Sequence, residues 1–333
     1  MKIVVDAFGG DYAPDAVLEG CALAKKEIES QIVLCGNAQK IKERAKELGV
    51  DISDFEILDA PDVLDIHEDP KSLLKSKSSS SMAVGMKYVA EGQGDAFVSA
   101  GSTGGVMVGG TFITKRIKGI KRPALAPIMP SVNNPFLLID CGANIDMKPE
   151  FYGQFAIMGS VYMEKVLGVK NPRVGLLNIG TEETKGGDML IEAHQILKNL
   201  PINFIGNVEA REVPLGGCDV VVTDGFSGNI LLKTYEGSAK GILGMVKQVM
   251  TKNILNKLAA AILLPSMKEI KSKMDYKEYG GAPLLGCAKP VYKTHGNSDA
   301  NTFKNAIKNA EKFAKAKVTD EISTLIAKEK EEV

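Results

Sequence analysis

The stretch Asp219-Val-Val-Val-Thr-Asp-Gly-Phe-Ser-Gly-Asn229 runs a β-branched apolar segment straight into a turn of small and hydroxyl-bearing residues. A strand that is apolar on both alternations must be buried on both faces, so it belongs inside a sheet that helices cover on each side. The signature recurs on either side of this stretch, in KIVVD from Lys2, QIVLCG from Gln31, DAFVSA from Asp95, PFLLID from Pro135, RVGLLNIG from Arg173 and PVYKTHG from Pro290, with helix-length segments between. The expected architecture is therefore α/β: a three-layer αβα sandwich around a mainly parallel, Rossmann-like sheet, in one domain spanning residues 1–333. Ligands in such sheets collect at the carboxyl ends of the strands.

One segment breaks the rhythm. From 240 to 282 the pattern is a helical excursion; its strand-free part, 240–277, sets eight lysines against two acids, Glu269 and Asp275, and Leu255, Leu258, Ile262, Leu263 and Leu264 supply an apolar surface. Such a helix can lie on anionic lipid or pack in a dimeric bundle. No run approaches the roughly 20 apolar residues of a membrane span. The apolar start of the chain meets carboxylates at once, unlike a signal peptide, so a cytoplasmic protein in peripheral contact with a membrane is expected. Lys plus Arg balance Asp plus Glu at 41 each, which leaves no global field for nucleic acid. Five scattered cysteines without a C-x-x-C pair read as reduced core residues.

Four strand-like runs end in turns suited to an anion: Ser99 to Gly105, Asp140 to Asn144, Gly180 to Gly187 and Asp224 to Asn229. Gly permits close approach of the backbone, helix N-termini present free N–H groups, and Ser, Thr and Asn add donors. Each turn taken singly is more often plain turn and N-cap chemistry. Together they predict a phosphate-binding edge, with Lys185 as the only cation in these four loops. No G-x-x-x-x-G-K-[ST] or G-x-G-x-x-G is present, so no nucleotide cofactor is expected. The turn at Ser227 departs from a nucleophile elbow by carrying Asn229 where Gly belongs. His67 and His194 read as surface or packed histidines, whereas His295 ends a strand-like run and is a candidate for the ligand edge. The three histidines lack metal-ligand spacing, so no metal is expected. Asp6 and Asp11 either orient donors or cap the following helix. Lys115, Arg116, Lys118, Lys121 and Arg122 form a basic cluster, either a docking patch for an acidic partner or a solvated helix end.

Seven motifs then occur in order: D-A-F-G-G-D from Asp6, the Ser/Lys-rich stretch before Met82, S-A-G-S-T-G from Ser99, I-D-x-G-A-N from Ile139, N-I-G-x-E-x-x-K-G from Asn178, T-D-G-F-x-G-N from Thr223 and HGNS from His295. In these the sequence resembles the PlsX-type phosphate acyltransferases over almost its whole length. The resemblance implies transfer of a fatty acyl group from acyl carrier protein to inorganic phosphate, giving acyl phosphate for phospholipid synthesis. It further implies a homodimer at the inner membrane face, no cofactor or metal, and a downstream membrane glycerol-3-phosphate acyltransferase. The implied fold is that of phosphotransacetylases and of isocitrate and isopropylmalate dehydrogenases. Carried over by motif, Lys185 and Asn229 would be catalytic, with Ser102, Thr103, Gly104, Asn144, Gly228 and His295 around the phosphate. The acidic carrier protein gives the basic cluster at 115–122 a candidate partner. Rival readings are a metal- and NAD-dependent dehydrogenase on the related fold and a non-enzymatic scaffold on a lipid surface.

Overall fold

The computed structural model describes residues 1–274 and 276–331, without the side chains of 268–277 and 328–331. The first half alternates strands β1 (Lys2–Asp6), β2 (Gln31–Gly36), β3 (Glu56–Asp59) and β4 (Ala96–Ser99) with helices α1 (Asp15–Lys25), α2 (Ala38–Leu48), α3 (Ser81–Ala90) and α4 (Thr103–Phe112). Two short strands follow, β5 (Ala124–Leu125) and β6 (Ile128–Met129), then β7 (Phe136–Ile139), α5 (Pro149–Leu167), β8 (Arg173–Asn178), α6 (Asp188–Lys198), β9 (Asn203–Glu209) and β10 (Val220–Val222). The long helices α7 (Gly225–Thr251) and α8 (Ile254–Met274) precede β11 (Ala282–Leu285), β12 (Val291–Lys293), α9 (Ala300–Lys315) and α10 (Val318–Glu331).

The strands make two sheets, ordered β3-β2-β1-β4-β12-β11-β5 and β6-β7-β10-β8-β9. Pairing is parallel except at β11 with β12 and β5, and at β6 with β7. The sheets meet at residues 124–129, where β5 pairs with β11 of the first sheet and β6, three residues on, pairs with β7 of the second. Alternation accounts for the doubly apolar strands. In β10, Val220 and Val222 join a core with Tyr152, Phe155 and Tyr162 of α5, while Val221 joins the opposite core with Phe136 and Leu138. In β1, Ile3 and Val5 pack with residues of α1 and α9, and Val4 packs with Met82 and Met86 of α3. Three covered layers result, as the patterning predicted.

The excursion is helical to Met274 apart from a break at Lys252 and Asn253, with a 3-10 turn at Tyr276–Tyr279 and β11 from Ala282, yet it does not start at 240. Helix α7 begins at Gly225 in the body of the protein, and one continuous 27-residue helix carries the chain outward. Asn256 then donates to the Val249 carbonyl at 2.7 Å, which folds α8 back on α7. Leu255, Leu258, Ile262, Leu263 and Leu264 are all exposed, together with Ile242, Met245, Val249 and Ile254. Glu269, Asp275 and the lysines from Lys268 onward lie outside the described side chains. Among the described residues no helix is long and apolar enough to cross a membrane.

Candidate active site

The carboxyl ends of β4, β7, β10 and β12 converge on a cavity of about 310 Å³ at the junction of the sheets. Its lining includes the polar Thr103, Asn229, Lys233, Glu236, Lys293, Thr294 and His295 and the apolar Leu125, Pro127, Ile128, Met129 and Leu232. Asn229, Leu232, Lys233 and Glu236 sit three to four residues apart, so a single face of α7 supplies them.

Two of the loops are each held by a buried carboxylate, Asp140 or Asp6. Asp140 is fully buried beyond β7, and its Oδ1 accepts the amides of Leu125 at 2.8 Å and Cys141 at 2.7 Å. Its Oδ2 accepts the amides of Ala143 at 3.1 Å and Asn144 at 2.6 Å and the Asn144 side chain at 3.0 Å. Burial raises its carboxyl to about 6, while these donors pull the other way. Asp6 plays the corresponding part in the first sheet. The Ser99 hydroxyl donates to it at 2.7 Å and in turn accepts the Gly101 amide at 2.9 Å, which orders the Ser99–Gly105 turn. Asp11 does not cap α1, whose first turn has no side-chain cap; its amide donates to the Gly296 carbonyl at 2.7 Å and ties the first loop to the last.

Two glycines let α7 approach this frame. A β-carbon on Gly228 would stand 2.0 Å from the Asp140 carbonyl oxygen, and one on Gly225 2.6 Å from that of Asn144. The capping chemistry of the turns is present as well. Asp224 accepts the amides of Phe226 at 2.9 Å and Ser227 at 2.8 Å, and Ser102 accepts that of Gly105 at 3.3 Å.

The site candidates therefore separate. Thr103, Asn229 and His295 line the cavity, and Gly228 brings Asn229 to it. Ser102 caps α4, Gly104 packs on Pro70, and Asn144 is buried with its amide donating to the Pro123 carbonyl and to Asp140. Lys185 follows β8, the neighbour of β10, but it is not among the lining residues. Its side chain is 47% exposed with Nζ 3.9 Å from Glu182. The cations that do line the cavity, Lys233 and Lys293, lie outside the four loops; a lysine in the otherwise apolar run PVYKTHG was the available signal for the second. Burial pushes the lining thiol of Cys141 far up, which suits a packed residue rather than a nucleophile. His67 is exposed, and His194 is packed against Phe204 with Nδ1 3.0 Å from Asn207. Among the described residues no three His, Cys, Asp or Glu side chains are grouped to hold a metal ion.

The basic residues Lys115, Arg116, Lys118, Lys121 and Arg122 are all exposed, anchored by buried Ile117 and Ile120. They occupy the loop after α4, where Lys115, Arg116 and Lys118 line a shallow hollow with exposed Phe112.

A family model described as "Fatty acid synthesis protein" matches residues 1–321. A phosphate acyltransferase of Bacillus licheniformis is 48% identical over 334 residues, covering 100% of both chains. One of Clostridium perfringens is 47% identical over 330 residues, 98% of this chain and 97% of that relative. Among solved structures, a phosphotransacetylase from Streptococcus pyogenes superposes with a TM-score of 0.65 at 21% identity, covering 95% of this chain and 94% of the other. A 4-hydroxythreonine-4-phosphate dehydrogenase homologue from Salmonella typhimurium does so with a TM-score of 0.54 at 12% identity, covering 93% and 98%. These two likenesses concern the fold alone.

Proposed function

Because this chain belongs to the fatty acid synthesis protein family, the PlsX-type phosphate acyltransferases, and is thus an acyltransferase using phosphate, we propose that its acyl donor is long-chain acyl-acyl carrier protein and its product serves phospholipid synthesis. The observation that carries this reading is the mixed lining of the cavity. Asn229, Thr103 and His295 offer polar groups to phosphate, while Leu125, Pro127, Ile128, Met129 and Leu232 offer apolar surface to an acyl chain.

The reaction asks little covalent work of the protein. An oxygen of hydrogen phosphate forms a bond to the thioester carbonyl carbon, the carbon–sulfur bond breaks with its electron pair leaving on sulfur, and the phosphate's proton ends on the thiol. Holding phosphate against the carbonyl and stabilising the developing oxyanion are the tasks left. In this proposal Asn229 acts from the first turns of α7, and Lys185, carried over from the family resemblance, acts from the loop after β8. No acyl-enzyme intermediate is involved.

The wider assignments belong to the same proposal: one catalytic unit that works as a homodimer in the cytoplasm, in peripheral contact with anionic membrane through α8. The carrier protein docks on the basic loop at 115–122, and a membrane glycerol-3-phosphate acyltransferase takes the product. The deciding experiment incubates purified protein with long-chain acyl carrier protein and phosphate. Acyl phosphate, trapped as hydroxamate, is expected, and its absence removes the donor assignment. Asn229→Ala and Lys185→Ala should each lower kcat/KM by about 10²–10³. A folded Lys185→Ala protein with undiminished turnover removes Lys185 from the mechanism.

A further inference from the structure

Lys293 is a cation in the cavity that the mechanism above leaves unused. It is the last residue of β12, in register with Ser99 of β4 on one side and Ala282 of β11 on the other, so the strand ends with it at the carboxyl edge of the first sheet. It is only 8% exposed, yet it lines the same cavity as Asn229, Thr103 and His295. Its ammonium donates to the Thr294 carbonyl, and it has no ion pair among the described residues.

An ammonium carries three donors, and burial with one carbonyl partner leaves its charge poorly compensated. Burial draws the amine down to about 8, against the pull of the Asp11 and Asp6 carboxylates from β1 and its loop. The other charged or titratable groups in the cavity are His295 on its own segment, the Cys141 thiol after β7, pushed far up by burial, and, from α7, Lys233 and Glu236. Those last two pair with each other at 3.0 Å, and Glu236 stands 3.9 Å from His295. Lys293 thus retains donor capacity in a space shared with Asn229, and an oxyanion is the ligand that would complete it.

We propose that Lys293 binds the phosphate substrate, holding one of its oxygens while Asn229 contacts the reacting centre from the facing helix. This rests on the phosphate acyltransferase reading, and the test separates the two. Sulfate is the probe, because it keeps one charge state where phosphate titrates. Calorimetry with the full chain measures its affinity from pH 7 to pH 9 for wild type, Lys293→Met and Lys293→Arg. Protonated Lys293 is the binding form, so wild-type affinity should be highest below about 8 and fall roughly tenfold by pH 9. The Met variant should bind sulfate at least about tenfold more weakly at pH 7 and lose that dependence. The Arg variant should bind without it. Asp6, Asp11, Glu236 and His295 remain in every variant, so their titration cancels in the comparison.

On the same samples kcat/KM for phosphate should fall about 10²–10³ in Lys293→Met, with KM for the acyl donor within about twofold. Unchanged sulfate affinity in the Met variant, or a flat wild-type profile, overturns the role. If the Met variant fails to fold, the wild-type and Arg profiles decide. Wild type that binds sulfate through Lys293 but makes no acyl phosphate keeps the anion site and removes the acyl-transfer reading.

Discussion

Asp140 is the residue on which the second sheet's share of the site depends. Its five N–H partners come from Leu125, Cys141, Ala143 and Asn144, so the carboxylate ties the bridge between the sheets to the turn that faces Asn229. Alanine there would leave several buried donors without acceptors, each costing roughly 1–3 kcal/mol. Asp140→Ala should therefore lose at least ~3 kcal/mol in urea denaturation, and a loss under 1 kcal/mol would show the turn to be held by other means. The carboxylate could be singled out in the sequence, since it follows an apolar strand and precedes Gly and Asn. Its partners could not, because Leu125 is fifteen positions away along the chain and meets it only through strand pairing. Lys293 shows the same limit. A lysine near the end of a strand is ordinarily solvated, and only the neighbouring strands and the Thr294 carbonyl make it a buried cation.

Helix α7 decides the site at the scale of elements. It begins with a capped turn against β7, supplies Asn229, Lys233 and Glu236 to the cavity, and continues into the exposed arm with α8. Its start depends on Gly228, where no side chain fits beside the Asp140 carbonyl. Gly228→Ala should displace the helix, costing about 1–3 kcal/mol by melting and reducing turnover more than Ala at exposed Gly241. Equal effects at the two positions would remove Gly228 from the architecture of the site. The arm presents Leu255, Leu258, Ile262, Leu263 and Leu264 to solvent, far more apolar surface than a lone exposed helix ordinarily carries. Sedimentation with anionic liposomes should pellet the protein, and Leu263→Glu should weaken that binding. No sedimentation of wild type would remove the lipid contact and leave the bundle reading.

Across the whole molecule, the cavity and the basic loop belong to one chain path: α4 starts with Thr103 in the cavity and ends beside the exposed Lys115, Arg116, Lys118, Lys121 and Arg122. A ten-residue helix spans about 15 Å, short enough for a flexible thiol arm to reach from a carrier protein docked on the loop into the site. Charge reversal at Lys118 and Arg122 should raise KM for acyl carrier protein several-fold and spare KM for phosphate. Steady-state kinetics with both substrates varied reads this out, and an unchanged carrier-protein KM refutes docking there. Because the net charge of the chain is balanced, electrostatic guidance of an acidic partner has to come from a local patch such as this one.

Fold class and the composition of the glycine- and hydroxyl-rich turns were legible in the one-dimensional chain. Strand burial on both faces, N-capping and glycine-dependent approach are local properties that leave local patterns, as in Asp219 to Asn229. Which turns share a cavity was a different matter. The division into two sheets, the bridge at 124–129, the retreat of Asn144 into a supporting role and the arrival of Lys293 in the cavity that Asn229 lines all depend on pairings between distant segments. Motif spacing does not record those distances, because folding brings residues together by packing and strand register, and neither is a function of separation along the chain.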